Sequence, residues 1–218
     1  MIKKICGITN IEDALFSIQQ GFDVLGFIFA PSSRKTDIET VKQITAYLPE
    51  TIKKAGVFLN HSPIEIQNIT EYCSLDIIQL HGEEKWDSYK QFSKKFQLMK
   101  TVKLKDSIED KQDLIDRIKL SKKERDFPYF LLEPYIEGAY GGTGKSFQWN
   151  ILKTIPLENI IVSGGLNCDN INQLLNEHSP YGIDVCSGLE KKPGIKDPVK
   201  IQIFMEKVKS YQTKESEA

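Results

Sequence analysis

Short apolar segments recur at intervals along the chain, and this repetition limits the chain to few folds. Each segment spans four to six residues, many of them β-branched, and apolar residues do not alternate with polar ones. This pattern is typical of strands that are buried on both faces of a parallel sheet. The predicted strands are Ile2–Cys6, Val24–Phe29, Lys54–Leu59, Ile77–Leu80, Leu98–Val102, Tyr129–Glu133, Ile160–Ser163 and Gly182–Cys186.

Apolar residues recur at helical spacing between these strands. The predicted helices include residues 11–18, 41–48, 63–72, 86–96, 114–118, 151–155, 171–175 and 199–208. Two of them carry clear boundary signals. Thr9 or Asn10 can cap the first helix, which ends before Gly21, and Ser62 with Pro63 can begin the third.

Eight strands that alternate with eight helices in 218 residues predict an α/β fold, a closed (β/α)₈ barrel of the TIM type. A doubly wound open sheet would also give parallel strands, but the count of eight favours closure. No linker divides the chain, so we expect a single barrel domain over residues 1–211. Residues 212–218 form a polar C-terminal tail that we expect to fray.

Composition excludes several classes of protein. The formal net charge is -1 and no basic stripe is present, so we expect neither nucleic acid nor a membrane as a partner. The four cysteines are scattered without a Cys-x-x-Cys pair, and no motif demands a metal or an organic cofactor. These features predict a cytoplasmic enzyme in a reducing compartment.

Chemically versatile side chains gather where the predicted strands end, and that edge of a barrel carries the chemistry. Burying a carboxylate unpaired is costly, so a carboxylate that follows the apolar Leu131-Leu132 is seldom idle. The candidates are Cys6 after strand one, Arg34 after strand two, His81 after strand four, Glu133 after strand six and Asp184 within strand eight.

Glycine-rich segments follow the last three strands and favour an anionic ligand. Glycine lets backbone N–H groups approach an anion closely, and the loops after strands seven and eight of such barrels often hold a phosphate. Two of these segments, Ser163-Gly164-Gly165-Leu166-Asn167 after strand seven and Cys186-Ser187-Gly188-Leu189-Glu190 after strand eight, predict a phosphorylated small-molecule substrate. A third segment, residues 140–147, follows strand six.

An ordered set of motifs resembles the phosphoribosylanthranilate isomerase family of tryptophan biosynthesis. The motifs are Lys4-Ile5-Cys6-Gly7-Ile8-Thr9, Gly26-Phe27-Ile28-Phe29 with Ser33-Arg34, Gln79-Leu80-His81-Gly82, Gly141-Gly142-Thr143-Gly144-Lys145 with Phe147 and Trp149, Ser163-Gly164-Gly165-Leu166, and Asp184-Val185-Cys186-Ser187-Gly188 with Gly194 and Lys196-Asp197. The resemblance runs from residue 3 to about residue 197. Singly these motifs are common, but the ordered set is specific.

The resemblance implies an Amadori rearrangement of N-(5-phosphoribosyl)anthranilate to 1-(2-carboxyphenylamino)-1-deoxyribulose 5-phosphate. It implies that Cys6 is the general base and that Glu133 is the general acid. Arg34 would face the anthranilate carboxylate, while His81 and Asp184 would contact the substrate. The resemblance also places the phosphate at the loops that contain Gly164, Gly165, Ser187 and Gly188.

Two positions depart from the family pattern. Glu133 stands where the family has an aspartate, and its carboxyl is one methylene farther from the backbone. Cys186 stands where the family usually has a serine, and it lies near Cys6 if strand eight pairs with strand one. Two alternatives stay open, namely another phosphosugar enzyme on a similar barrel and a non-catalytic protein that binds phosphoribosyl ligands. The oligomeric state is expected to be a monomer or a homodimer.

Overall fold

The predicted strands form a closed parallel barrel. The computed structural model describes residues 1–85, 88–104, 112, 115–116, 129–135 and 149–217. The barrel strands are β1 (Ile2–Cys6), β2 (Val24–Ile28), β3 (Lys53–Phe58), β4 (Ile77–Leu80), β5 (Gln97–Leu104), β6 (Tyr129–Pro134), β7 (Ile160–Val162) and β8 (Gly182–Val185). They lie in chain order, and β8 pairs with β1. Closure confirms the barrel and excludes the open sheet.

The helices begin and end where local chemistry stabilises their termini. They are α1 (Ile11–Gln20), α2 (Ile38–Ala46), α3 (Pro63–Tyr72), α4 (Ile171–Glu177) and α5 (Pro198–Glu217). The Asn10 side chain accepts a hydrogen bond from the Asp13 backbone, and Ser62 forms a reciprocal capping box with Glu65. Among the described helices, none is both long and apolar enough to span a membrane.

Three predicted helices differ from the observed elements or lie outside them. In the predicted helix at 86–96, the described residues 88–96 contain a 3₁₀ helix, Lys90–Lys94, instead of a longer α-helix. Tyr89 and Phe92 stand three residues apart, a spacing that also fits the 3₁₀ period. Residues 151–154 of the predicted helix at 151–155 belong to a second 3₁₀ helix, Trp149–Thr154. Most of the predicted helix at 114–118 lies outside the described residues.

The end of the chain holds two further differences. An antiparallel pair that the sequence did not predict, β9 (Glu190–Lys192) and β10 (Ile195–Lys196), precedes α5. Helix α5 then continues through Glu217, past the point where we expected a polar tail to begin. Neither glycine nor proline follows Pro198, so no residue in this segment stops the helix.

The strands carry one apolar cluster on their outer faces and a second one inside the barrel. A layer of polar side chains next to the inner cluster, toward the carboxyl ends of the strands, belongs to the candidate site. The larger cluster packs the outer faces of the strands against the helices, and the smaller one fills the lumen. The luminal cluster consists of Val24, Ala55, Ile77, Met99, Leu131 and Ile161. Two residues farther along several strands, the side chains on the same face are polar and still buried. These polar residues are Gln79, Thr101, Glu133 and Ser163.

Candidate active site

A buried ion pair joins the first and last strands of the barrel. Lys4 on β1 is in register with Asp184 on β8, and Lys4 Nζ lies 2.9 Å from Asp184 Oδ1. Burial opposes the charge on Lys4, but the Asp184 carboxylate and the neighbouring Cys6 together outweigh burial, and the pKa of Lys4 is raised. Asp184 also accepts a hydrogen bond from Ser163, over 3.4 Å. The Asp184 carboxylate therefore has partners before any substrate arrives.

The Cys6 thiol lies buried beside this ion pair. A side chain at Gly26 would place its Cβ 2.8 Å from Cys6 Sγ and 3.2 Å from Lys4 Nζ, so only glycine leaves room for both groups. A hydrogen bond from the Cys186 thiol lowers the pKa of Cys6, burial opposes this shift, and the Lys4 ammonium reinforces it. The same contact and burial raise the pKa of Cys186. Both cysteines are free, and they are neighbours as strand pairing predicts.

Glu133 points into the lumen from β6 and is 6% exposed. Burial raises the pKa of Glu133 to about 7, while Lys103 opposes that shift. His81 Nε2 lies 3.3 Å from Glu133 Oε1, but the geometry falls short of a hydrogen bond. Within the described part of the chain, Oε1 has no other hydrogen-bond partner. Burial lowers the pKa of His81 to about 4, so the imidazole is neutral near pH 7.

Arg34 lies at the same mouth and already binds a carboxylate of the protein. Its Nε and Nη2 atoms donate to both oxygens of Glu190 over 2.8 to 3.0 Å, in the bidentate geometry that guanidinium groups favour. Lys196 Nζ donates to the same carboxylate over 3.2 Å and to the Cys6 carbonyl over 2.6 Å. This cluster ties the β9–β10 segment to the end of β1.

The glycine loops after β7 and β8 pack tightly together. A Cβ at Gly188 would lie 1.9 Å from the Leu166 carbonyl oxygen, so no side chain fits there. Gly164 and Gly165 both adopt positive φ angles, 88° and 66°. Among the described residues, no acceptor takes a hydrogen bond from the N–H groups of Gly164, Gly165, Ser187 or Gly188. The third predicted glycine loop, residues 140–147, lies outside the described residues.

The structure therefore brings the predicted side chains to one end of the barrel, and it adds residues that sequence reasoning missed. Lys4 was detectable, because a lysine and an aspartate stood inside strands predicted to be buried and to be neighbours on closure. Glu190 carried no comparable signal, and Lys196 was identified only as part of the family resemblance. Across the described residues, no group of His, Cys, Asp and Glu side chains has an arrangement that could hold a metal ion.

The lumen thus contains Glu133, a carboxyl with a raised pKa, and Cys6, a thiol with a lowered pKa. Backbone N–H groups without hydrogen-bond acceptors among the described residues lie in the loops after β7 and β8. This arrangement defines a (β/α)₈-barrel enzyme suited to proton transfer on an anionic substrate. A family model described as N-(5'-phosphoribosyl)anthranilate isomerase matches residues 3–207. The chain belongs to this family.

Individual members of the family are similar to this chain along nearly its whole length. The N-(5'-phosphoribosyl)anthranilate isomerase of Pelobacter propionicus is 40% identical over 210 residues, which cover 94% of each chain. The crystal structure of phosphoribosyl anthranilate isomerase from Thermotoga maritima has a TM-score of 0.83 and 33% identity, covering 96% of this chain and 100% of that one. A structure of the same enzyme type in complex with reduced 1-(o-carboxyphenylamino)-1-deoxyribulose 5-phosphate has a TM-score of 0.80, 33% identity and the same coverage.

Proposed function

We propose that this chain performs the Amadori rearrangement of N-(5-phosphoribosyl)anthranilate with Glu133 as general acid and Cys6 as general base. The isomerase activity and its place in tryptophan biosynthesis follow from membership of the family. One observation carries the assignment of the two residues. Their pKa values are shifted in opposite directions within one lumen, and this is the pattern expected of an acid and base pair.

Glu133 acts first in this mechanism. Its carboxyl donates a proton to the furanose ring oxygen, the ring opens, and the anthranilate nitrogen and C1 form an iminium. The raised pKa supports this role, because a carboxyl with an ordinary pKa would already be ionised near pH 7. The apolar Leu131 and Leu132 precede Glu133 on β6 and contribute to its desolvated setting.

Cys6 then removes the proton from C2 of the iminium, and the resulting enolamine becomes the ketone. Only the thiolate is an effective base, so the thiol must ionise readily. The hydrogen bond from Cys186 and the ammonium of Lys4 both favour the thiolate. Lys4 is itself held by Asp184 at 2.9 Å, so its charge stays beside the sulfur.

We assign the remaining contacts by the chemistry of the groups present. Arg34 would bind the anthranilate carboxylate through its Nη1 edge, which donates to no other described residue, while Glu190 holds the opposite edge. His81 and Asp184 would contact the ribose.

The phosphate would bind the N–H groups of the loops that contain Gly164, Gly165, Ser187 and Gly188, as expected for backbone anion sites. The backbone N–H groups of these four residues support this placement, because they donate to no acceptor among the described residues. A phosphate held there would leave the ribose directed toward the acid and the base.

Turnover of phosphoribosylanthranilate, followed as loss of anthranilate-type fluorescence, tests the proposal directly. Cys6→Ser and Glu133→Gln should each keep the fold and the affinity for a product analogue while kcat falls by ~10²–10⁴-fold. Binding without turnover in the unmodified protein would instead identify a phosphoribosyl-binding protein. Near-normal kcat in either folded variant would remove that residue from the mechanism.

We further propose a monomer or homodimer that works in the reducing cytoplasm. The four free cysteines support this setting, because two neighbouring thiols in the site must stay reduced for Cys6 to act as a base. Sedimentation of the purified protein measures the oligomeric state. Thiol titration after mild oxidation measures whether activity needs reduced cysteines.

A further inference from the structure

A chain of buried polar contacts leads from β4 to Glu133, and the mechanism above does not use its first two members. Gln79 Nε2 donates to Thr101 Oγ1 over 3.2 Å, and Thr101 Oγ1 lies 3.2 Å from His81 Nδ1. His81 Nε2 in turn lies 3.3 Å from Glu133 Oε1. Gln79 and Thr101 are 2% and 5% exposed, so water does not readily substitute for these contacts.

The direction of these contacts follows from counting donors. The Thr101 hydroxyl accepts from Gln79, so its own hydrogen needs an acceptor. His81 Nδ1 is the acceptor within reach among the described residues. Nδ1 therefore carries no proton, and the neutral imidazole carries its proton on Nε2, the atom that faces Glu133.

The reverse direction is less favourable for the buried amide. The Gln79 carbonyl oxygen has no hydrogen-bond partner in the described part of the chain. Turning the amide over would let this oxygen accept from Thr101, but it would leave the NH₂ group in the unpartnered position. In the observed orientation the amide has one unmatched acceptor and one unmatched N–H among the described residues, whereas after the turn both of its N–H groups would be unmatched. A buried N–H without a partner is rarer in proteins than a buried carbonyl oxygen without one.

We propose that Gln79 and Thr101 are positioning residues that hold the His81 imidazole with its proton on Nε2. In this tautomer His81 donates to Oε1 of Glu133, so the acid carries its own proton on Oε2. The proposal rests on the role of Glu133 as general acid. His81 Nε2 and Glu133 Oε1 already lie within hydrogen-bonding distance, at 3.3 Å, and catalytic hydrogen bonds often reach good alignment only in the complex with substrate.

The opposite tautomer would make the acid less useful. With the proton on Nδ1, Nε2 would accept a hydrogen bond from Glu133, and the catalytic proton would point at His81 instead of the substrate. The Nε2–H tautomer avoids this and also stabilises the carboxylate left after proton transfer. Glu133 faces further titratable and charged groups, namely Lys4 and Cys6 on β1, Lys103 on β5 and Asp184 on β8. Around His81 lie Lys4, Glu84, Lys100 and Lys103.

Nitrogen-15 NMR of the histidine-labelled, unmodified protein tests the tautomer without any variant. The chain has three histidines, so the spectrum is simple, and His81→Asn identifies the signals of His81. We expect Nε2 of His81 to be protonated and Nδ1 to be unprotonated near pH 7. A His81 ring protonated on Nδ1 alone would overturn the proposal, whatever the outcome of the activity assays.

Thr101→Val tests the coupling to Glu133, because valine keeps the branched shape and lacks the hydroxyl. Released from Thr101, His81 gains access to the Nδ1–H tautomer, which accepts from Glu133 and stabilises its protonated form. We expect kcat to fall by about tenfold, part of the ~10²–10⁴-fold that a general acid supplies, with KM within about twofold. The alkaline limb of the pH–rate profile should move to higher pH even though the enzyme is slower.

Two control variants separate this effect from loss of structure. Thr101→Ser keeps the hydroxyl and should therefore match the unmodified protein in kcat, in the alkaline limb of the pH–rate profile and in the His81 tautomer. Thr70→Val removes another buried threonine hydroxyl, one without a hydrogen-bond partner among the described residues, and should leave all three unchanged. An unchanged alkaline limb and tautomer in Thr101→Val would refute the inference while Glu133 remained the acid. Normal turnover by Glu133→Gln would instead refute the proposed function.

Discussion

Replacing Glu133 by glutamine should abolish a loss of stability that develops in the unmodified protein as the pH rises, and it should also remove activity. Burial raises the pKa of Glu133 from 4.5 to about 7. In the unfolded chain the same carboxyl ionises near its ordinary pKa. Because the folded state favours the protonated form, stability is greatest below pH 4.5 and falls as the pH rises through about 7. Glutamine does not titrate, so Glu133→Gln lacks this loss.

The shift sets the size of the expected effect. One pKa unit corresponds to ~1.4 kcal/mol, so ionisation of Glu133 lowers the free energy of unfolding by roughly 3 kcal/mol between about pH 4 and about pH 8. For a chain of this length ~1 kcal/mol changes Tm by roughly 2–4 °C. The Tm difference between Glu133→Gln and the unmodified protein should therefore grow by roughly 6–12 °C over that range. An unmatched amide N–H would lower stability at every pH and leave this difference intact.

Thermal unfolding followed by circular dichroism across this pH range measures the effect. Glu50→Gln is the matched control, because it makes the same substitution at an exposed glutamate and should follow the unmodified protein at each pH. Turnover measured on the same samples should show the loss of kcat. If the Tm difference for Glu133→Gln is the same at both ends of the range, Glu133 does not carry the raised pKa and the acid assignment loses its physical basis.

Three further predictions concern the rest of the site. Cys186→Ala removes the hydrogen bond that favours the Cys6 thiolate, so the acidic limb of the pH–rate profile should move to higher pH, and Cys186→Ser should return it. An unmoved limb would show that Cys186 does not tune Cys6. Arg34→Met should raise KM for the natural substrate and have little effect with an analogue that lacks the carboxylate; equal losses with both would make Arg34 structural. Gly188→Ala places a methyl group 1.9 Å from a carbonyl oxygen, so it should weaken inhibition by inorganic phosphate, and unchanged inhibition would refute the phosphate assignment.

The sequence predicted the barrel well because its strands are buried on both faces. Such strands form continuous apolar runs, which stand out from helices even when they are short. Helix type was harder to predict, because a longer α-helix would bury the same side chains: Phe92 is buried within the 3₁₀ helix and Tyr89 is buried directly before it. The β9–β10 segment had no such run, because each of its strands has only two or three residues.

The site was predictable only where strand ends determine it. Cys6 and Glu133 lie at the carboxyl ends of their strands and His81 directly follows β4, so the topology alone brings them to one mouth. The partner of Arg34 could not be predicted, because Glu190 lies 156 residues away at the start of the short strand β9 and the contact depends on tertiary packing. The role of Thr101 could not be predicted either, because threonine is common in strands. Its role depends on its contacts with Gln79 and His81, which only the structure shows.

The glutamate at position 133 fits the polar layer of this particular barrel. Its carboxyl reaches His81, which follows β4, across the intervening strand β5 that supplies Thr101. An aspartate would withdraw the carboxyl by ~1.5 Å, about one C–C bond, and the 3.3 Å approach to His81 would be lost. The longer side chain and the hydroxyl of Thr101 thus act on the same proton. Glu133 carries this proton, and Thr101, by fixing the tautomer of His81, determines which carboxyl oxygen of Glu133 the proton occupies.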